Sequence, residues 1–280
     1  MKSNSIHSQT LEIIKDYDFK IKKKYGQNFL TDDFVLSKIV NAAELTEDDL
    51  VIEVGPGLGT LTRELAKHAG AVCAVEIDKD AAEILNAVLP DIRVINADIL
   101  KIDIMALAKE YKKNVKIVAN LPYYVATAIV TKLLEDKMPI SSIIVMVQKE
   151  VGERFAAAPN SKDYGALSVF MKYHAETYIA ANAPRNCFLP RPNVDSAVVK
   201  ITPKTDFPLD AETEKFMFEF VKAAFATRRK TLVNCIAAKG LAEKDTLLGA
   251  LSACELSAQI RGEAMSLDDF IKVCTQCMPK

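Results

Sequence analysis

Asn120-Leu121-Pro122-Tyr123 combines residue types suited to handling a flat ring that bears an exocyclic amine. Such an amine is a poor nucleophile because its lone pair is delocalised into the ring. Two acceptors, the Asn120 side-chain oxygen and a backbone carbonyl such as that of Leu121, can take both N–H bonds and draw the nitrogen toward tetrahedral geometry. Pro122 removes a backbone donor and stiffens the turn, and Tyr123 offers a face for stacking a base. Methyl transfer to that nitrogen needs no strong base, because the nitrogen becomes acidic once it carries positive charge. What remains is in-line positioning of donor and acceptor.

A second motif can hold the donor. Glu53-Val54-Gly55-Pro56-Gly57-Leu58-Gly59 follows an apolar run and opens a helical pattern, so Gly55 and Gly57 let a ligand approach the backbone. The spacing is GxGxG, one residue short of the GxGxxG dinucleotide fingerprint, and the proline further disfavours a nicotinamide cofactor. Glu76, at the end of the next apolar run, is placed to accept hydrogen bonds from ribose hydroxyls. Asp98, in Asn96-Ala97-Asp98, can accept one from an adenine amine. Acidic groups at two strand ends, and no lysine in the glycine loop, suit a sulfonium-bearing nucleoside better than a triphosphate.

These motifs require a sheet to carry them. Short apolar runs at 50–54, 71–76, 92–95, 115–119 and 142–147 alternate with helical spacing at 60–68, 79–88, 104–111 and 127–135. That alternation predicts an α/β, Rossmann-like, doubly wound sheet. Residues 167–173 and 196–202 read as two further strands, an antiparallel edge pair. Thr202-Pro203-Lys204-Thr205-Asp206-Phe207-Pro208 reads as a linker. Beyond it, Phe216, Phe220, Val221 and Phe225, and later Phe270 and Val273, return to helical spacing. The expected division is a catalytic domain at 1–205 and a small all-α domain at 206–280.

Composition narrows the class. The chain has 280 residues, 50% hydrophobic and 26% charged, which is ordinary for a folded protein. Its start is polar and it has no apolar run of the roughly 18 residues a membrane span needs, so a cytoplasmic protein is expected. Six cysteines in a chain of this size read as reduced thiols. The pair Cys274 and Cys277 lacks a second pair to complete a zinc site, and no metal is expected. Net charge is −1, so nucleic acid would have to be met by local clusters. Two exist, Lys20 with Lys22, Lys23 and Lys24, and Arg228-Arg229-Lys230.

Taken together the motifs resemble the small-subunit ribosomal RNA adenine dimethyltransferases. The matching segments are Lys24-Tyr25-Gly26-Gln27-Asn28-Phe29-Leu30, the glycine loop, Glu76-Ile77-Asp78, Asn96-Ala97-Asp98, Asn120 to Tyr123 and Gln148-Lys149-Glu150-Val151. Phe188-Leu189-Pro190-Arg191-Pro192, Val194-Asp195-Ser196 and Arg228-Arg229-Lys230-Thr231-Leu232 complete the set. The resemblance implies that Asn28, Leu30, Gly55, Glu76, Asp98 and Asn120 line an S-adenosylmethionine pocket, and that Tyr123 and Phe188 sandwich the target adenine. It implies dimethylation at N6 of two adjacent adenosines near the 3′ end of small-subunit RNA, reached by a monomer within a pre-30S particle. Arg228, Arg229, Lys230 and Lys23 then look like phosphate contacts. Three other readings compete: a large-subunit RNA methyltransferase of the antibiotic-resistance type, a non-catalytic assembly factor, and a nicotinamide oxidoreductase.

Overall fold

The computed structural model describes residues 5–278. In chain order its elements begin with α1 (Ile6–Asp16), β1 (Phe29–Leu30), α2 (Asp33–Ala43), β2 (Asp49–Val54), α3 (Thr60–Leu65), β3 (Ala71–Glu76) and α4 (Lys79–Val88). Next come β4 (Arg93–Asn96), α5 (Ile104–Tyr111), β5 (Asn114–Asn120), α6 (Ala126–Glu135), β6 (Ile140–Gln148), α7 (Lys149–Phe155) and α8 (Ala166–His174). The chain continues through β7 (Ala175–Ala183), β8 (Phe188–Leu189), β9 (Ser196–Pro203), α9 (Ala211–Ala224), α10 (Leu232–Ala237), α11 (Lys244–Ala253) and α12 (Leu267–Cys277).

Seven strands form one sheet in the order β4-β3-β2-β5-β6-β9-β7. The first five are mutually parallel, and β9 runs antiparallel to β6. Val51, Ile52, Ile117, Val118, Ile143 and Ile144 are wholly enclosed, because strands with helices on both faces must be apolar on both. The strand order reverses between β2 and β5, and crossovers leave that point in opposite directions. The carboxyl ends of these two strands therefore border an open crevice, where α/β sheets bind ligands. The doubly wound sheet expected from the sequence is the one found.

Local capping sets the helix starts. Asp78 accepts from the Asp80 amide at 3.3 Å to open α4, and Asp103 accepts from that of Ala106 at 2.9 Å to open α5. A two-stranded ribbon pairs β1 with β8, Leu30 opposite Phe188 and Phe29 opposite Leu189. The amino-terminal segment is packed, not appended: Ile6, Thr10 and Phe19 are buried, and Phe19 meets Phe29 edge-on with ring centres 6.0 Å apart.

The chain forms two compact units. The first comprises the described residues up to Gly152 together with Thr177–Pro203, and the second Glu153–Glu176 together with the described residues from Lys204 on. The passage at Pro203 lies close to the expected boundary, but the excursion 153–176 joins the helical unit. Residues 167–173, expected as a strand, are helix α8. Burial obscures the period: Ser168, Val169, Phe170, Met171 and Tyr173 are all enclosed and only Lys172 is exposed in that stretch, so little amphipathic pattern is left to distinguish helix from strand. The partner of β9 at the sheet edge is β7, whose half-exposed Tyr178-Ile179-Ala180-Ala181 has too little alternation to announce itself.

The core of the helical unit gathers Met217, Phe220 and Val221 of α9, Leu247 and Leu251 of α11, and Phe270 and Val273 of α12. Cys274 and Cys277 belong to the same buried face. No helix among the described residues is long and apolar enough to cross a membrane.

Candidate methyl-transfer site

A cavity of about 320 Å³ opens at the β2/β5 reversal, entirely within the first unit. Asn28, Leu30, Gly55, Gly57, Glu76, Asp98, Asn120, Leu121 and Tyr123 all line it, so nine of the residues singled out from sequence converge there from five separate segments. Register explains part of this. Val54 and Ala119 are partners across β2 and β5, which puts Gly55 beside Asn120.

The glycine loop is held from beneath. The buried carboxylate of Glu76 accepts from the Gly57 amide at 3.0 Å and from the Asp78 amide at 2.8 Å. A Cβ at Gly57 would stand 2.8 Å from the Phe29 ring, and the φ of +56° there favours glycine in any case. Glycine thus lets β1 press against the loop and keep the cavity floor thin. Burial pushes the Glu76 carboxyl above its usual range, and the Asp78 charge adds to this, while the Asp78 and Gly57 amides oppose it. Asp98 opens a short helical turn by accepting from the Leu100 amide at 3.0 Å.

Glu53, one strand over, is more extreme. It lines the cavity, is 1% exposed, and its Oε2 has no hydrogen-bond partner among the described residues. Desolvation pushes its carboxyl up to about 8, with the Glu76 charge contributing. A second buried acid under the loop was not expected from the sequence. Its only signal was a carboxylate inside the run 50–54, where every position turns out to be enclosed.

On the other wall, the Asn120 Nδ2 donates to the Asn28 carbonyl at 2.9 Å. Because that carbonyl can only accept, the bond settles which amide atom is which and leaves Oδ1 as an acceptor in the cavity. Leu121 is buried, its amide donates to the Met146 carbonyl at 3.3 Å, and its own carbonyl takes no hydrogen bond among the described residues. Tyr123 is half-buried, and its hydroxyl shares a 2.7 Å hydrogen bond with Ser196. Burial raises the Tyr123 pKa and the Ser196 bond works against it, so this ring stays neutral at physiological pH. Ser196 is the anchor that sequence reading missed as such, although it stands in one of the family segments.

Phe188 corrects the expected base sandwich. It does not line the cavity; it is 5% exposed and packs in a core cluster with Leu30, Val35 and Val198. Pairing of β8 with β1 turns it inward, so in this structure it has no face to present to a base. Lys22 also differs from a solvated cation. Its ammonium sits 2.6 Å from Asp78 Oδ1 and 2.7 Å from Asp80 Oδ2, and Gln27 donates to Asp78 Oδ2 at 2.7 Å. This clasp fastens the segment before Asn28 to the start of α4. Lys23 and Lys24 remain exposed.

In the helical unit, Arg228, Arg229 and Lys230 occupy the exposed turn between α9 and α10. Arg228 is partly committed to the fold: it bonds Glu263 at 3.2 Å and the Lys162 carbonyl at 3.1 Å. Arg229 and Lys230 form no ion pair among the described residues. Nor does any group of three or more His, Cys, Asp or Glu there stand close enough to hold a metal.

A crevice at a sheet reversal, with a thin glycine floor, two strand-end carboxylates and an acceptor turn opposite, fits a nucleoside-borne methyl donor. The fold and site are those of an S-adenosylmethionine-dependent methyltransferase. Residues 18–266 match the family model described as ribosomal RNA adenine dimethylase. The chain is 46% identical over 273 residues to the ribosomal RNA small subunit methyltransferase A of Lachnoclostridium phytofermentans, covering 95% of this chain and 94% of that one. Its identity to the protein of the same name from Clostridioides difficile is 45% over 271 residues, covering 95% and 94%. Among solved structures it is similar to the 23S rRNA methyltransferase ErmE, with a TM-score of 0.70 and 26% identity over 89% of this chain and 99% of that one. A dimethyladenosine transferase from Plasmodium falciparum shares the fold with a TM-score of 0.76 and 24% identity, over 88% and 95%. The chain belongs to the ribosomal RNA adenine dimethylase family.

Proposed function

We propose that this enzyme converts two adjacent adenosines in a loop near the 3′ end of small-subunit ribosomal RNA to N6,N6-dimethyladenosine. The observation that carries the reaction type is the Asn120 amide, oriented by the Asn28 carbonyl so that its oxygen is an acceptor in the cavity. That oxygen and the Leu121 carbonyl are the two acceptors an N6 amine requires. As they take its two N–H bonds, the nitrogen lone pair is freed from the ring for attack. Tyr123, braced by Ser196, stacks on the adenine.

S-adenosylmethionine supplies an electrophilic methyl group on a sulfonium. Asn28, Leu30, Gly55, Gly57, Glu76, Asp98 and Asn120 are the residues that would hold it, all on the cavity wall. Glu76 can accept ribose hydroxyls while still serving the Gly57 and Asp78 amides, because a carboxylate has acceptor capacity for both. Arg229, Lys230 and Lys23 provide phosphate contacts, with Arg228 a weaker contributor because Glu263 offsets its charge.

The small-subunit target is supported by relatives of that name that align along nearly the whole chain. The substrate we assign is this RNA inside an assembling subunit, met by a monomer. Mass spectrometry of ribosomal RNA from cells lacking the gene tests the assignment. Dimethyladenosine should vanish from the small-subunit RNA and return with the protein. A missing mark in the large subunit instead would replace this reading with the antibiotic-resistance type of enzyme.

A further inference from the structure

Tyr124 follows the amine-binding turn yet is treated differently by the fold. It lines the cavity and is 65% exposed, whereas Leu121 is buried and Tyr123 half-buried. Its ring lies across Gly26, where a Cβ would come 3.4 Å from Tyr124 Cε1 and 3.3 Å from Pro122 Cβ. The bare glycine backbone therefore seats one edge of the ring while its hydroxyl makes no hydrogen bond among the described residues. Tyr25 lines the same cavity, with Lys24 Nζ 4.6 Å and Lys22 Nζ 5.8 Å from its ring centre. Lys22 is held by Asp78 and Asp80, but Lys24 is exposed, and rings beside an exposed cation at a cavity are an arrangement that holds single-stranded nucleic acid, bases on the rings and phosphate on the cation.

The chemistry demands such a platform. Drawing one adenosine into the cavity strips a stacking partner from the nucleotide beside it, and that base is left with a bare face in water. Resting on the RNA reading above, we propose that Tyr124 is a positioning residue that stacks on the nucleotide adjacent to the reacting adenosine, with Lys24 beside Tyr25 at the connecting phosphate. Stacking is tolerant of base identity, so the platform accepts whichever nucleotide flanks the reacting adenosine on that one side.

The test uses unmethylated small subunits reconstituted with RNA containing one target adenosine, and two versions with an abasic residue on its 5′ or its 3′ side. Tyr124→Ala should raise KM for the intact RNA roughly tenfold, the loss expected for one base–aromatic stack, with the change falling on KM and not kcat. S-adenosylmethionine binding should be unchanged, and Tyr124→Phe, which keeps the ring, should match the wild type. One of the two abasic RNAs should raise the wild-type KM and erase the difference between wild type and Tyr124→Ala, since ring and base act as one pair. An Ala effect of equal size on all three RNAs, or none, overturns the assignment, as does a Phe variant as impaired as Ala. A wild-type enzyme inert on the particle with intact RNA rejects the RNA reading itself and the platform with it.

Discussion

The two walls of the cavity are built on opposite principles. On the glycine-loop side, Glu76 spends its buried carboxylate on the amides of Gly57 and Asp78, and Asp98 spends its own on that of Leu100. Several backbone bonds share the task, so the wall is preorganised before any ligand arrives. On the turn side, each functional group hangs on one contact, Asn120 on the Asn28 carbonyl and Tyr123 on Ser196. The difference teaches where single substitutions should bite: the first wall is redundant and the second is not.

The sharpest break of that comparison is Asn120→Ala. It should lower kcat by about 10² to 10³ but weaken S-adenosylmethionine binding far less, because six other wall residues share the cofactor whereas the lost acceptor acts on the reacting amine. Single-turnover methylation measured beside equilibrium cofactor binding checks this, and near-normal turnover would remove Asn120 from the chemistry.

Glu53 probes the other wall through stability. Its carboxyl is pushed up to about 8 in the folded protein, against roughly 4.3 when unfolded. Between those values the folded state keeps a proton that the unfolded state has released, so this group's contribution to stability falls as pH rises and levels off above about 8. Glu53→Gln has no such proton. Its stability advantage over wild type should grow across that window toward a gain on the order of a few kcal/mol, read as a rising Tm difference. Thermal unfolding of both proteins from acid to mildly alkaline pH measures it; a pH-independent gap would contradict a buried neutral acid.

Smaller effects sharpen the contrast between committed and uncommitted groups. Replacing Arg229 and Lys230 together by Ala should lower the slope of log affinity for RNA against log salt by about one to two, while Arg228→Ala should change it less. Equal slopes for all variants would mark the turn as a solvated face. Smallest is Ser196→Ala, which removes one neutral hydrogen bond to Tyr123 and should cost about 1 kcal/mol, several-fold in KM for RNA. A larger loss in kcat than in KM would show that Tyr123 orientation matters to the transfer step itself.

Much of this was legible in the chain. Strands rich in Val and Ile announced the parallel sheet, because only residues apolar on both faces survive between two helical layers. The carboxyl-end motifs announced the site, because in a doubly wound sheet strand ends and crevice coincide. Local spacing could not separate helix from strand for 166–174, where burial of all but one face obscured the period. It could not reveal Phe188 either, whose inward turn is decided by pairing with a strand more than a hundred residues earlier.

Residue type and order alone determined the reaction class: an amide acceptor, a stiff turn and a stacking ring after one strand, glycines after a second, and an acid at the end of each of two more. Only the tertiary structure decided which groups remain available for it. Lys22 and Arg228 were absorbed by partners distant in sequence, Glu53 was neutralised by enclosure, and Asn120 was oriented by a carbonyl 92 residues away. Charge state and hydrogen-bond occupancy depend on what surrounds a side chain in space, and the linear order of a chain carries that only indirectly.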